Sequence, residues 1–194
     1  MPRRPDPNLE ARILNSAQRL WKKGGEKALT MRAVAKAAGT NTPTVYRRLQ
    51  SRQGVLQALL RRIQHDVAEA VAPGASPHEA CERYLNFALE HPHEYELFFE
   101  HAYQLPRPRS DHDVPLREER RTMALMEAKL ADHLGGVPAD HSQLSLALWA
   151  LCHGTAMILI SKSIPPEHAP QLRMAFSDAM KSMIGEAAAG GTQR

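Results

Sequence analysis

Between Met31 and Arg52 the sequence carries side chains suited to one kind of chemistry, the holding of phosphate and the reading of base edges. Thr44 and Tyr46 supply hydroxyl donors for phosphate oxygens, while Arg47 and Arg48 supply guanidinium groups that reach a phosphate or a guanine edge. Arg32 and Arg52 flank this group, and Asn41, Thr42 and Pro43 stand immediately before it. Acid–base or nucleophilic chemistry has no comparable set. The chain has no glycine-rich phosphate loop, no Gly-x-Ser-x-Gly elbow and no His-Glu-x-x-His run. The pair Glu118-Glu119 sits among Arg117, Arg120 and Arg121, the pattern of a solvated, salt-bridged helix face.

Short helices must hold these groups. Leu9, Ile13, Ala17, Leu20 and Trp21 recur at helical spacing after Asp6-Pro7, an N-cap followed by proline in the first turn, and Gly24-Gly25 ends the run. Thr30 caps a second helix of barely two turns, with Leu29 placed to staple against Val34, and Gly39 stops it. Asn41 or Thr42 caps a third, with Val45 and Leu49 facing inward. Ser51 caps a longer helix from Arg52 to about Ala72, in which Gly54 costs helix propensity, roughly 1 kcal/mol against Ala. Further on, helices are predicted from Ser76-Pro77 to about Glu90, from Pro92 through Tyr103, from Val114 to Leu134, from Asp140 as cap to about Ser163, and from after Pro166 to about Ala188. Leu105 to Asp113 reads as a loop, and no period-2 alternation marks a strand. The fold class is therefore all-α: a three-helix helix-turn-helix domain over 1–52, a helical bundle over 53–188, about nine helices in all, and a flexible tail over 189–194.

Charge agrees with this division. Residues 1–62 hold 14 Lys and Arg against 3 Asp and Glu, whereas 63–194 hold 11 against 18 and all ten histidines. A basic end beside an acidic remainder is the asymmetry expected when one end meets a polyanion. Two short helices joined by Gly39-Thr40-Asn41 form a helix-turn-helix, whose second helix enters the major groove. Arg3 and Arg4 form a basic arm suited to extra groove or backbone contacts. The composition, 43% apolar and 24% charged, excludes a disordered chain. Cys81 and Cys152 lie far apart without a CxxC spacing, and no apolar leader follows the start, so a reducing cytoplasm is the expectation and the two thiols are expected to be small buried side chains. Leu144 to Ile160, interrupted by Ser145, His153 and Thr155, is expected to fall short of a bilayer span and to be a buried helix, so no membrane partner is expected.

From Ala11 to Leu60 the order helix, glycine, Thr-x-Arg-x-x-Ala, Ala-Gly turn, Thr-x-Tyr helix and Ser-basic opening of the next helix resembles the DNA-binding domain of the TetR family. The resemblance implies that Arg32, Thr42, Pro43, Thr44, Tyr46, Arg48 and Arg52 approach DNA, with Arg47 at a variable position; Asn41 joins them as a candidate. Leu49-Gln50 stands where relatives often carry Phe-Pro or a similar aromatic pair, a departure expected to alter local packing rather than the DNA-facing side; Gly54 stands where they commonly carry an acid or alanine, a departure expected only to cost helix propensity. The segment "LWALCHGTAMILI", with Trp149, His153 and Gly154, resembles a helix of one subclass of TetR-type regulatory domains, in which it and the last helix pack on a second subunit. Leu144, Leu146, Leu148, Trp149, Leu151, Ile158 and Leu159 nearly encircle that helix, more apolar surface than one core stripe needs. The expected dimer seam comprises Leu148, Leu151, Cys152, Thr155, Leu159, Met174 and Met180.

Six of the eight Tyr and Phe residues fall between Tyr84 and Tyr103. Bundle pockets are apolar and aromatic, and the resembling domains bind effectors, so Tyr84, Phe87, Phe98, Phe99, Tyr103, Met123, Met126 and Trp149 are the candidate lining of a small-molecule site. His91, His93 and His101 near Glu94 and Glu100 raise a metal site, but His91-x-His93 straddles Pro92 and offers no i, i+4 pair; surface histidines are the expectation, with no metal and no cofactor. Taken together these readings predict a ligand-responsive repressor that binds a palindromic double-stranded DNA operator as a homodimer and is not an enzyme. A helical module that sequesters a small molecule or protein without DNA, and an enzyme on the same scaffold, remain the alternatives.

Overall fold

The computed structural model describes residues 8–72, 74, 76–101 and 121–191, and among them the chain is helical without strands. The helices are α1 Leu9–Ala28, α2 Met31–Ala37, α3 Thr42–Leu49, α4 Arg52–Val71, α5 Pro77–Glu90, α6 Pro92–His101, α7 Arg121–Leu134, α8 Ser142–Ile160 and α9 Ala169–Gly191. Short 3-10 turns at Pro138–His141 and Pro166–His168 precede the last two. The Asp6 cap, the Arg3-Arg4 arm, the loop from Leu105, the start of the helix at Val114 and Tyr103 lie outside the described residues.

Two compact units divide the chain differently from the expected boundary at residue 52. One takes the chain up to His65 together with the stretch from His91; the other takes Asp66–Glu90 and the carboxy-terminal part. The division falls inside α4, and α6 belongs with the amino-terminal helices. In the first unit Ile13, Ala17, Trp21, Leu29, Val34 and Val45 are buried, which is the apolar stripe that the helical spacing placed on α1, α2 and α3. α1 kinks where its glycines stand, since Gly24 and Gly25 leave helical geometry.

The second unit is a bundle in which α5 packs along α8 and α8 along α9. Its core includes Tyr84, Leu85, Leu130, Leu148, Phe176 and Met180. Three cap readings are refined. Asp140 accepts from the Val137 N–H at 3.0 Å, so it closes the 3-10 turn before α8 rather than capping α8 itself. α8 stops at Ile160, and Lys162 takes a φ of 53° just beyond it. α9 runs to Gly191, three residues past the predicted end and into the stretch expected to be a tail.

Candidate nucleic-acid interface

The α2–α3 turn is built by local chemistry. The Thr30 hydroxyl oxygen accepts from the Ala33 N–H at 3.1 Å and starts α2. At its end Gly39 has φ of 64°, the Thr40 N–H donates to the Ala35 carbonyl at 3.0 Å and the Gly39 N–H to the Lys36 carbonyl at 3.2 Å. This double closure is a Schellman motif, which needs a left-handed residue after the helix and therefore favours glycine there. Between the two caps left open by the spacing, Asn41 acts: its side-chain oxygen accepts from the Thr44 N–H at 2.9 Å. Arg12 of α1 donates to the Ala38 carbonyl at 3.1 Å and ties α1 to the same turn.

These contacts present α3 with Val45 inside and the polar side chains outside. Pro43, Tyr46, Arg47 and Arg48 are exposed, Tyr46 to 48%, a large fraction for an aromatic ring; Thr42 and Thr44 are half-buried. Arg47 donates to the Thr44 hydroxyl at 3.1 Å, which directs its guanidinium along the helix. Arg32 is exposed in the first turn of α2. Arg52 behaves differently from the others. Its Nε donates to the Leu29 carbonyl at 3.1 Å, and a terminal nitrogen lies 3.0 Å from a Glu26 carboxylate oxygen. In this arrangement Arg52 fastens the start of α4 to the α1–α2 corner, a positioning role that the sequence pattern did not disclose.

The α3–α4 junction explains both departures from the family pattern together. The Ser51 N–H donates to the Leu49 carbonyl at 2.6 Å across Gln50, whose φ of 61° and ψ of −42° make a γ-turn in the strained, positive-φ form. The Ser51 hydroxyl oxygen accepts from the Gly54 N–H at 3.0 Å, as a cap should. The tight turn drives the Leu49 carbonyl towards residue 54, where an added Cβ would lie 1.9 Å from its oxygen. Gly54 is therefore required by close approach, a correction to its reading as a simple loss of helix propensity.

Long-range polar contacts fix α6 against α1, and no periodicity in the residues announces them. The Trp21 indole N–H donates to the His93 carbonyl at 2.6 Å. Glu94, 2% exposed, accepts from the Gln18 amide at 2.7 Å and lies 3.2 Å from the Lys22 ammonium and 3.4 Å from His91 Nδ1. Its second oxygen, Oε2, has the Lys22 ammonium nearby but no hydrogen-bond partner. His93 pairs with Glu96 instead, at 3.6 Å. Among the described residues no group of three or more His, Cys, Asp or Glu is placed to hold a metal ion.

The candidate small-molecule lining is split. Tyr84, Met123, Met126 and Trp149 come together in the second unit around a narrow crevice with about 20 Å³ of free space. Cys81, Cys152, Ser145 and Thr122 line it too, and among the described residues no charged side chain does. Phe98 and Phe99 do not line this crevice: they lie on α6 in the first unit, where Phe99 lies tilted against Tyr95 with ring centres 4.6 Å apart and meets Phe98 edge-on at 5.2 Å. Phe87 shares the second unit but does not line the crevice. Trp149 stacks in parallel on His153 at 5.5 Å, and burial lowers the His153 pKa below its ordinary value. The Cys152 thiol is held strongly towards its protonated form by a hydrogen bond with Cys81 and by burial.

The expected dimer seam also needs correction. Leu148, Cys152, Thr155 and Met180 are buried within the single chain, so they face its own core and are unavailable to a second copy. Leu151 and Leu159 are half-buried, whereas Leu146 at 55% and Met174 at 62% exposure face outward. By length and composition alone the stretch Pro138–Ile160 reaches the range of a bilayer span, with mean hydropathy 1.6 over an 18-residue window of which 28% is buried, but a single helix of this kind is not a clear membrane span.

The chain's similarities point one way. A model for bacterial regulatory proteins of the tetR family matches residues 13–59, and one for the tetracyclin repressor-like C-terminal domain matches residues 78–183. No curated relative matches the chain. Among solved structures, a tetR-family transcriptional regulator from Streptomyces coelicolor is 18% identical with a TM-score of 0.68, over 97% of this chain and 90% of that one. A TetR-like transcriptional regulator from Rhodococcus sp. RHA1 is 21% identical with a TM-score of 0.58, over 97% and 100%. A TetR variant from Acinetobacter baumannii AYE, solved in complex with minocycline, is 15% identical with a TM-score of 0.60, over 94% and 96%. With a helix-turn-helix at its amino-terminal end and more than half of its length matched by the tetracyclin repressor-like domain, the chain belongs to the TetR family of transcriptional regulators.

Proposed function

We propose that the protein is a ligand-responsive repressor, not an enzyme, that acts in the cytoplasm and binds a near-palindromic operator as a homodimer. The observation that carries this reading is α3 itself: a capped helix whose outer side is Pro43, Tyr46, Arg47 and Arg48, in a region of strongly positive charge. One such helix buries too little surface for specific binding, and two copies on half-sites about one helical turn apart remedy this. Thr42, Thr44 and Tyr46 serve phosphates, Arg47 and Arg48 phosphates or base edges, and Arg32 the flanking backbone. Asn41 and Arg52 support them by capping α3 and fastening α4.

The homodimer reading rests on α8 and α9. An apolar helix with Leu146 exposed, beside a helix with Met174 exposed, gains most from a second copy of the same pair, and Leu151 and Leu159 extend that surface. The Trp149, His153 and Gly154 pattern supports membership of the subclass whose regulatory domains carry it. Effector binding in the second unit is coupled to operator release through α4, a continuous helix of roughly 30 Å. A tenfold change in occupancy needs only about 1.4 kcal/mol of differential binding. Gel shifts of genomic fragments with purified protein, at several salt concentrations, test the reading: sequence-specific, salt-sensitive retardation is expected, and a chain that leaves every fragment unshifted in dilute buffer is not a repressor.

A further inference from the structure

The crevice of the second unit has a lining that selects for ligand chemistry. Among the described residues its titratable lining side chains are two thiols and the Tyr84 phenol, with no carboxylate, ammonium or guanidinium. The Cys152 thiol stays protonated because of its hydrogen bond with Cys81 and its burial. A charged guest entering this space would lose its hydration, and an anion would meet no positive countercharge among the described lining residues, the nearest charge acting on Cys152 being the Glu82 carboxylate. The walls are soft instead. Trp149 supplies an indole, steadied by the His153 ring stacked on it, and Met123 and Met126 supply polarisable thioethers, which make favourable contacts with aromatic rings.

One polar group on this wall is poorly served. Ser145 is fully buried, and the hydrogen bond the structure gives its hydroxyl runs to the Met123 thioether sulfur at 3.9 Å, a weak acceptor. A guest hydroxyl would satisfy it far better. In the present conformation the crevice has room for about one water molecule, so a ring is admitted only as the unbranched Met123 and Met126 side chains swing aside, which their flexibility allows.

We propose that this crevice binds an uncharged aromatic molecule bearing a single hydroxyl, a phenol-type compound, with its ring against Trp149 and the two thioethers and its hydroxyl on Ser145. That such a compound acts as the effector rests on the repressor reading above; the binding itself does not.

Calorimetric titration of the full chain at neutral pH with 4-methylphenol, toluene and 4-methylbenzoate tests it. Binding of 4-methylphenol is expected, with 4-methylbenzoate, of nearly the same shape, at least about a hundredfold weaker because its charge is unpaired in the crevice. Ser145→Ala should weaken 4-methylphenol roughly two- to tenfold and leave toluene unchanged. Met126→Trp, which fills the crevice, should abolish both, and a thermal melt reports whether that variant folds; Ser145→Ala is small enough to decide the matter if it does not. Equal affinity for the carboxylate, no heat with 4-methylphenol, or an unchanged ratio of 4-methylphenol to toluene in Ser145→Ala would overturn the proposal. Gel shifts run alongside separate the two claims: heat without operator release supports the site and rejects the effector role, while absent heat with intact operator binding rejects the site and leaves the repressor reading standing.

Discussion

Replacing Gly54 by alanine sets two physical rules against each other. Helix propensity alone predicts that Gly54→Ala gains about 1 kcal/mol, since the residue lies in the first turn of a 20-residue helix. The geometry predicts the opposite. The new Cβ would stand 1.9 Å from the Leu49 oxygen and 3.0 Å from its carbonyl carbon, where real carbon–oxygen contacts begin at about 3.3 Å. The Leu49 carbonyl must therefore retreat by more than about 1 Å, judged by that contact distance. It is backbone, held by the Ser51 N–H at 2.6 Å, and cannot rotate away as a side chain would. Overpacking of this kind costs about 1–3 kcal/mol, which outweighs the propensity gain or cancels it only at the lower limit. Denaturant melts should show Gly54→Ala less stable by up to about 2 kcal/mol, and gel shifts should show weaker operator binding because the turn sets α3 on α4. Gln50→Gly relaxes the positive φ and should partly rescue the double variant, a coupling that a thermodynamic cycle measures. A Gly54→Ala protein that is more stable than wild type with unchanged operator affinity would refute the reasoning.

Other perturbations have equally definite outcomes. Tyr46→Ala should weaken binding to all sequences and flatten the salt dependence, while Arg48→Ala should relax preference at one base pair by about 1–3 kcal/mol if it reads guanine; a salt series and a selected-site motif for each variant distinguish them. Arg52→Ala should lower stability by about 1 kcal/mol through loss of the Leu29 and Glu26 contacts, discounted because the pair is largely exposed, and a denaturant melt showing no change would limit Arg52 to DNA contact. Burial lowers the folded-state pKa of His153, so the unfolded chain takes up its proton first: stability is undiminished above the ordinary value near 6.5 and falls as pH drops through it towards the lowered folded value. A His153→Gln protein should lose less stability than wild type over that window, and parallel pH–stability curves for the two would count against it.

What the sequence made legible follows from how local each feature is. The caps at Thr30 and Ser51, the glycine turn at Gly39 and the inward Val45 depend on neighbours within a few positions, and spacing discloses them. The α6 helix was legible, but its place with the amino-terminal helices was not, because Gln18–Glu94 and Trp21–His93 join residues more than seventy positions apart through polar groups with no period. The aromatic concentration between Tyr84 and Tyr103 does not by itself disclose one site for a related reason: closeness in sequence is not closeness in the fold, and the chain passes from one unit to the other between Glu90 and His91. On α8, apolar residues all round gave no phase, so Leu148, Cys152 and Thr155 could not be told from the outward Leu146 until α5 and α9 were packed on it.

The central claim is that paired copies of α3 read a duplex. Selection of bound sites from a random pool of double-stranded DNA with the purified full-length chain tests it most directly. An inverted repeat whose half-site centres lie one helical turn apart, about 34–36 Å, or a multiple of it, is the predicted recovery. A pool that emerges with no enriched motif, or with a single unrepeated half-site, would contradict it.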